Sequence, residues 1–452
     1  MIDSLVWVRG EVETGLDTSI ESLVYSLPES QKTPAVLVLG ETEYKDKLPF
    51  GADQWNHSER YGFFRNLINH HTSLTKEEIQ GLEFVLGLGE SNHSTNTGAQ
   101  LNFLHLAQAG KKIVIIHGNI LLHVITKEPA SDDTNVGKFQ IGYFKTEEEL
   151  QGYIEKNKET PIPMFSLMEE GFKQNQFVLS GNIGWNAKPD SLLGTNLCDL
   201  DIDSILNVDK LVYEVFKNRF SHRYVTKKES LKEFSSLGFC YGVDLGTVVP
   251  PFFPFGSNFD SYYSYLVHVT NPSSDFMLMP YSVCLDPSLE PKTSEPMYHI
   301  KLKLSDLLFY LCADYHSKSF YHSLDFFKSY ELFGNFLQEL TTTTIDEFKD
   351  YLRSILELAF LRKKNKLAAN LAKLRSKNTT VHSVRDLDFF LSRTERELEA
   401  LTSFFNDSEW WLPTEYRFHR DSKFAFQSFQ KDLTNFASAL KVWPKCFHLA
   451  RV

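Results

Sequence analysis

Ile113-Val114-Ile115-Ile116 is the segment that most narrows what this chain can become. The run is too short for a helix, and Gly110-Lys111-Lys112 precedes it while His117-Gly118-Asn119 follows. An apolar run of this length between polar or turn-forming residues reads as a strand. Because it does not alternate with polar residues, both its faces must be buried, as in an interior strand of a parallel sheet.

The residues before it supply the rest of such a sheet. Leu5-Val6-Trp7-Val8 and Ala35-Val36-Leu37-Val38-Leu39 read as two more strands. Between them Thr18 and Glu21 have capping-box spacing, opening a short helix that Pro28 closes. Residues 60–70 and 75–88 read as helices, the second opened by Thr75 and Glu78 at the same spacing. Leu101, Leu104 and Ala107 mark one more, stopped by Gly110. Strands alternating with helices define an α/β fold. In open sheets of this kind ligands bind beyond the carboxyl ends of the strands, so His117, Gly118 and Asn119 occupy a binding position.

Further along, residues 131–160 read as a surface excursion, with a short strand at 139–144 and an acidic helix start at Glu147-Glu148-Glu149. Val249-Pro250-Pro251-Phe252-Phe253-Pro254-Phe255-Gly256 holds three prolines among aromatics, so it is a stiff extended loop and not a central strand. From about Leu302 helix dominates, and Thr344 with Glu347 caps a helix whose apolar face runs through Ile345, Phe348, Leu352 and Ile355. The expected organisation is an α/β region over 1–300, with a nucleotide-binding half at 1–125 and an acceptor half at 161–300. A mainly helical region at 301–452 follows.

Composition narrows the partners. A chain of 452 residues with a formal charge of −11 is a poor general binder of nucleic acid, whose affinity comes largely from phosphate neutralisation. The five cysteines are scattered without zinc-site spacing and read as reduced core thiols. Neither a leader-like start nor an apolar run of about 20 residues is present, so the expected location is cytoplasmic.

The layout of strand, helix, strand, then a helix opened by Asn96-Thr97-Gly98-Ala99-Gln100-Leu101 and leading to the strand before His117 resembles a GT-A-type glycosyltransferase domain. There an Asn-bearing helix precedes a strand ending in an acidic DxD motif. Pro250 through Asp260 resembles the proline-phenylalanine loop of uncharacterised bacterial glycosyltransferase-like proteins, which runs into Gly-Arg-Asn-Glu-Asp at a helix start. The resemblance covers roughly residues 1–290. It implies a GT-A-like (Rossmann-like) mixed sheet with flanking helices, a nucleotide-sugar donor, and an unknown glycan, lipid or protein acceptor. It makes Asp260 the catalytic base, the other reading of that residue being a helix N-cap, and places His117, Asn119, Asn96, Asp244 and Asn258 at the substrate. The chain departs from the pattern where His117-Gly118-Asn119 replaces the DxD carboxylates, Phe259 the Glu, and Ser257 the Arg. Hard divalent cations want anionic oxygen ligands, so sugar transfer here is expected to be metal-independent, with a non-catalytic binding or scaffold protein of the same shape as the alternative.

Other constellations carry two readings each. Asp199, Asp201 and Asp203 would share one face of a strand as a displaced metal site, or else form a solvated edge. His117 with His123, and His70 with His71, are histidine pairs lacking a third ligand. Ser180-Gly181-Asn182-Ile183-Gly184 is a phosphate-cradling loop or a plain turn. Between Leu358 and Arg385 there is no acidic residue, and Arg362, Lys363, Lys364, Lys366, Lys373, Arg375 and Lys377 make residues 362–377 either a contact for an anionic membrane, a polyphosphate or an acidic partner, or the solvated face of a helical hairpin.

Overall fold

The computed structural model describes residues 2–8, 35–39, 53–55, 57–70, 73–89, 97–117, 120–126, 134–136, 139–144, 146–159, 162–173, 176–185, 220–225, 227–231, 240–256, 260–272, 274, 276–285, 301–318, 325–376, 384–418 and 421–451. The helix expected at 18–28 and the carboxylates Asp199, Asp201 and Asp203 lie outside them.

The expected strands form. β1 (Ser4–Val8), β2 (Ala35–Leu39) and β3 (Asp53–Trp55) are followed by helices α1 (His57–Asn69), α2 (Lys76–Val85) and α3 (Thr97–Ala107), then by β4 (Lys112–His117). These four strands are parallel in the order β3-β2-β1-β4. Thr75 and Glu78 make the reciprocal capping box at the start of α2. Gly110, at φ 89°, turns the chain out of α3 and donates its N–H to Leu245 O at 2.8 Å.

The chain continues through β5 (Ile120–Ile125), β6 (Thr134–Val136), β7 (Phe139–Phe144), α4 (Glu147–Asn157), α5 (Ile162–Gly171), β8 (Phe177–Trp185), β9 (Phe220–Tyr224), β10 (Glu229–Leu231) and β11 (Cys240–Asp244). The α/β part closes with α6 (Asp260–Thr270) and β12 (Phe276–Leu285). β11 lies antiparallel between β4 and β8, while β12 runs parallel to β8, so the sheet is mixed. All twelve strands among the described residues join it.

Two expectations need correcting. Ser180 to Gly184 is neither a turn nor a phosphate loop but the middle of β8, where Asn182 pairs with Arg223 and Gly184 with Ser221. Glycines suggest a turn locally, but pairing on both sides of β8 holds the segment extended. Within residues 131–160 the strand expected at 139–144 and the helix opened by Glu147 both form, but the stretch is not a mere surface excursion, because β7 pairs with β9 and β6 with β7 to extend the sheet.

β4 shows why its sequence does not alternate. Ile113 and Ile115 belong to the large core that includes α2 and α3, and Val114 and Ile116 to a smaller core built on Met164, Phe165, Met168 and Phe172. All four are fully buried.

The helical part comprises α7 (Leu304–Lys318), α8 (Phe326–Thr341), α9 (Ile345–Ser376), α10 (Val384–Ser403) and α11 (Ser422–Leu449). It shares the large core with the sheet. α11 packs along α2 and α8, and a Cβ on Gly81 would lie 2.6 Å from the Ala439 nitrogen. α9 and α10 form a helical hairpin closed by Phe360 against Phe404 at 4.8 Å and by an Arg375–Glu395 ion pair. The described cysteines, Cys240, Cys284, Cys312 and Cys446, are buried thiols outside any disulfide. No helix among the described residues is long and apolar enough to cross a membrane.

Candidate functional site

Strand direction decides which residues can meet. β1 and β4 are parallel with Val8 paired to His117, so both carboxyl ends lie at one edge of the sheet. The order reverses between these two strands, with β2 and β3 beyond β1 and β11 beyond β4. Such a topological switch leaves a crevice at the carboxyl edge, because the connections on its two sides leave in opposite directions. His117 therefore ends its strand at the switch point. β5, which carries His123, joins the sheet through β12, so the two histidines sit on separate parts of it.

Two helices start at this same edge. α1 follows the carboxyl end of β3, and α3 runs back down to Gly110 before β4 rises. Asn96 directly precedes α3, Asn119 follows His117 by two residues, and Asn258 precedes α6 by two; all three lie outside the described residues.

The stiff loop brings the second half of the chain to that edge. After Asp244 the segment runs along α3, passing Asn102 at Phe252 and reaching the start of α3 at Pro254. Asn102 is fully buried and holds it from both sides: the Phe252 N–H donates to Oδ1 at 2.6 Å, and Nδ2 donates to the carbonyls of Phe252 and Val85 at 2.8 Å each. Ala99 N–H donates to Pro254 O at 3.1 Å, and a Cβ on Gly98 would lie 2.1 Å from Phe253 O, so only glycine admits this approach. Behind the loop, Trp443 Nε1 donates to Val249 O at 2.7 Å and Tyr263 Oη to Pro250 O at 2.9 Å. Phe252 stacks on Tyr263 with centroids 3.8 Å apart. From Pro250 to Phe255 the loop is entirely buried, so it is a strap and not an open acceptor surface.

The strap delivers α6 with Asp260 as its first residue. Tyr262, two residues on, accepts the Phe253 N–H at 2.7 Å, which keeps the start of α6 beside the start of α3. Asp260 and His117 thus belong to elements that meet at one edge. Asp244 does not join them. It pairs with Lys112, at the amino end of β4, and at about 3.3 Å per residue that end lies roughly 16 Å from His117. There Asp244 accepts the Gly246 N–H at 2.8 Å and lies 3.7 Å from Lys112 Nζ.

Arg60 is a residue that reading the sequence missed. It sits in the first turn of α1 at the carboxyl edge and is 2% exposed. Arg60 has a partner within the fold, and its burial in the first turn of a helix puts a cation close to an edge where the helix N-terminus also presents N–H donors and positive charge. In the sequence an arginine in an amphipathic helix reads as solvated, and only its place just after a strand hints otherwise. Among the described residues no three metal-ligating side chains gather.

His105 lies further down α3, fully buried against Phe252 with ring centroids 5.7 Å apart. Neither ring nitrogen has a hydrogen-bond partner among the described residues. Burial without a partner lowers its pKa to about 3. The unfolded chain therefore takes up a proton below about pH 6.5 that the folded chain refuses. Stability is expected to fall by about 1.4 kcal/mol per pH unit as pH drops from about 6.5 towards 3. Urea unfolding of wild type and His105→Leu across that range checks this. The variant should show the shallower slope, and equal slopes would exclude His105 as the cause.

No protein-family model, curated protein or solved structure matches the chain. Fold and site together define a mixed α/β protein with its candidate crevice at the carboxyl edge of a β3-β2-β1-β4 sheet.

Proposed function

We propose that the chain is a GT-A-type glycosyltransferase-like protein that binds a nucleotide sugar at the switch point and transfers the sugar without a tightly held metal. One observation carries the reading: the strap brings the start of α6, with Asp260, to the edge where β4 ends in His117 and where α1 and α3 begin. Arg60 and the α1 N-terminus would take the diphosphate, and the stretch from His117 to Asn119 the rest of the donor. Asp260 would accept the proton of the acceptor hydroxyl as its oxygen bonds to the anomeric carbon and the nucleoside diphosphate leaves. Leaving-group charge would then rest on fixed N–H donors, which need no reorganisation during the reaction.

Calorimetric titration with UDP, GDP and their sugars tests the proposal. One nucleotide class should bind with an affinity that EDTA leaves nearly unchanged, and Arg60→Met should weaken it by roughly tenfold or more. Silence across the panel would remove the reading. A large loss on chelation would instead direct attention to Asp199, Asp201 and Asp203. Binding without any transfer or donor hydrolysis would select the non-catalytic alternative that His117-Gly118-Asn119 suggests.

A further inference from the structure

We propose that the outer face of α9 docks the protein onto an anionic lipid surface, independently of the nucleotide reading. The inner face of this helix, with Leu352, Leu356, Phe360, Leu367 and Leu374, is buried in the large core. The outer face holds two leucines that the fold leaves uncovered, Leu358 at 53% and Leu361 at 54% exposure. With about 3.6 residues per turn, Leu358, Leu361, Asn365, Ala368, Ala369 and Ala372 fall along one line of the helix. Arg362, Lys366 and Lys373 run along one flank of that line, and Lys364 and Arg375 along the other. All eleven residues are exposed. An apolar stripe bordered on both sides by cations is the pattern of a helix lying in a membrane interface, with its apolar line dipped among the headgroups.

Charge complementarity identifies the occupant. The chain carries −11 overall, yet α9 has no acidic residue from Leu358 to Ser376 and six basic ones. The fold uses some of that charge internally: Lys363 is half-buried within electrostatic reach of Asp306, Arg375 pairs with Glu395, and Lys366 and Lys373 have interactions within the fold as well. Arg362 and Lys364 remain exposed on opposite flanks of Leu361, as a shallow contact with anionic headgroups requires. A stable protein partner would want about 800 Å² per side around aromatic anchors set in pockets, and a convex line of two leucines, three alanines and Asn365 provides neither. A lipid surface conforms to whatever rests on it.

The test is sedimentation of the whole protein with phosphatidylcholine vesicles, with and without phosphatidylserine. Binding to the phosphatidylserine vesicles should exceed binding to the neutral ones by roughly tenfold and disappear at high salt. The double variants Leu358→Ser with Leu361→Ser, and Arg362→Glu with Lys364→Glu, should each reduce it by roughly tenfold. Their melting temperatures should match wild type, because these side chains are exposed. The proposal is overturned if wild type ignores phosphatidylserine vesicles or if both variants bind like wild type. It is equally overturned if the serine pair instead dissociates a dimer in a protein that shows no vesicle binding, since the face would then hold a second copy of the chain.

Discussion

Asn102→Leu is expected to lower the unfolding free energy by about 3–5 kcal/mol, one of the two largest single-residue effects anticipated here. The side chain is fully buried and satisfies three backbone groups belonging to two segments 150 or fewer residues away in sequence, Phe252 N–H, Phe252 O and Val85 O. Leucine fills similar space but leaves all three without a partner in the core. Each stranded polar group costs about 1–3 kcal/mol, more than a typical hydrogen bond contributes, because its desolvation is no longer compensated. Asn102→Asp provides a control of equal shape. It can still accept from Phe252 N–H but faces the two carbonyls with an acceptor, so it should also destabilise, less so at low pH where the acid can donate. Urea midpoints read both variants. A loss below about 1 kcal/mol for the leucine variant would mean that Asn102 does not anchor the strap.

Asp260→Asn is expected to reduce sugar transfer by roughly 10²-fold or more with the melting temperature nearly unchanged. The prediction rests on the proposed function and on the position of Asp260 at the start of α6, where the strap sets it. Asparagine is equally suited to a helix start but cannot hold a proton taken from a hydroxyl. If Asp260 only supports the helix, activity survives the change. If it is the base, kcat falls while donor binding by calorimetry stays the same, and that split separates a reacting group from one that positions the donor. Full activity in the asparagine variant would remove the main residue-level support for inverting transfer.

Much of the fold was legible locally. The uninterrupted apolar run at Ile113 to Ile116 required burial on both faces, and the two cores meeting across β4 supply it. The capping boxes at Thr75 and Thr344 marked helix starts because the hydroxyl accepts the glutamate N–H while the glutamate carboxylate accepts the threonine N–H, so two otherwise stranded groups are satisfied whatever the rest of the chain does. Where long-range pairing competes with such cues, local reading failed. Gly181 and Gly184 suggested a loop but lie in a strand held by β9 and β12.

The candidate site divides in the same way. Its position after β4 followed from the sequence, since a strand that ends a βαβ unit must present its carboxyl end to the crevice. Asp244 could not be placed by that argument. Its strand runs antiparallel to β4, and direction is a property of pairing that no window of residues contains. Arg60 was equally invisible, because an arginine on a helix is indistinguishable from a solvated one until packing covers it. The proline-rich stretch shows both halves of the lesson. Its three prolines made it stiff and extended by fixing φ and removing N–H donors. Its burial was decided only when Asn102 and Trp443 closed over it from two distant elements and Tyr263 from the helix that follows, because side chains as far apart in sequence as Asn102 and Trp443 meet only once the whole chain has folded.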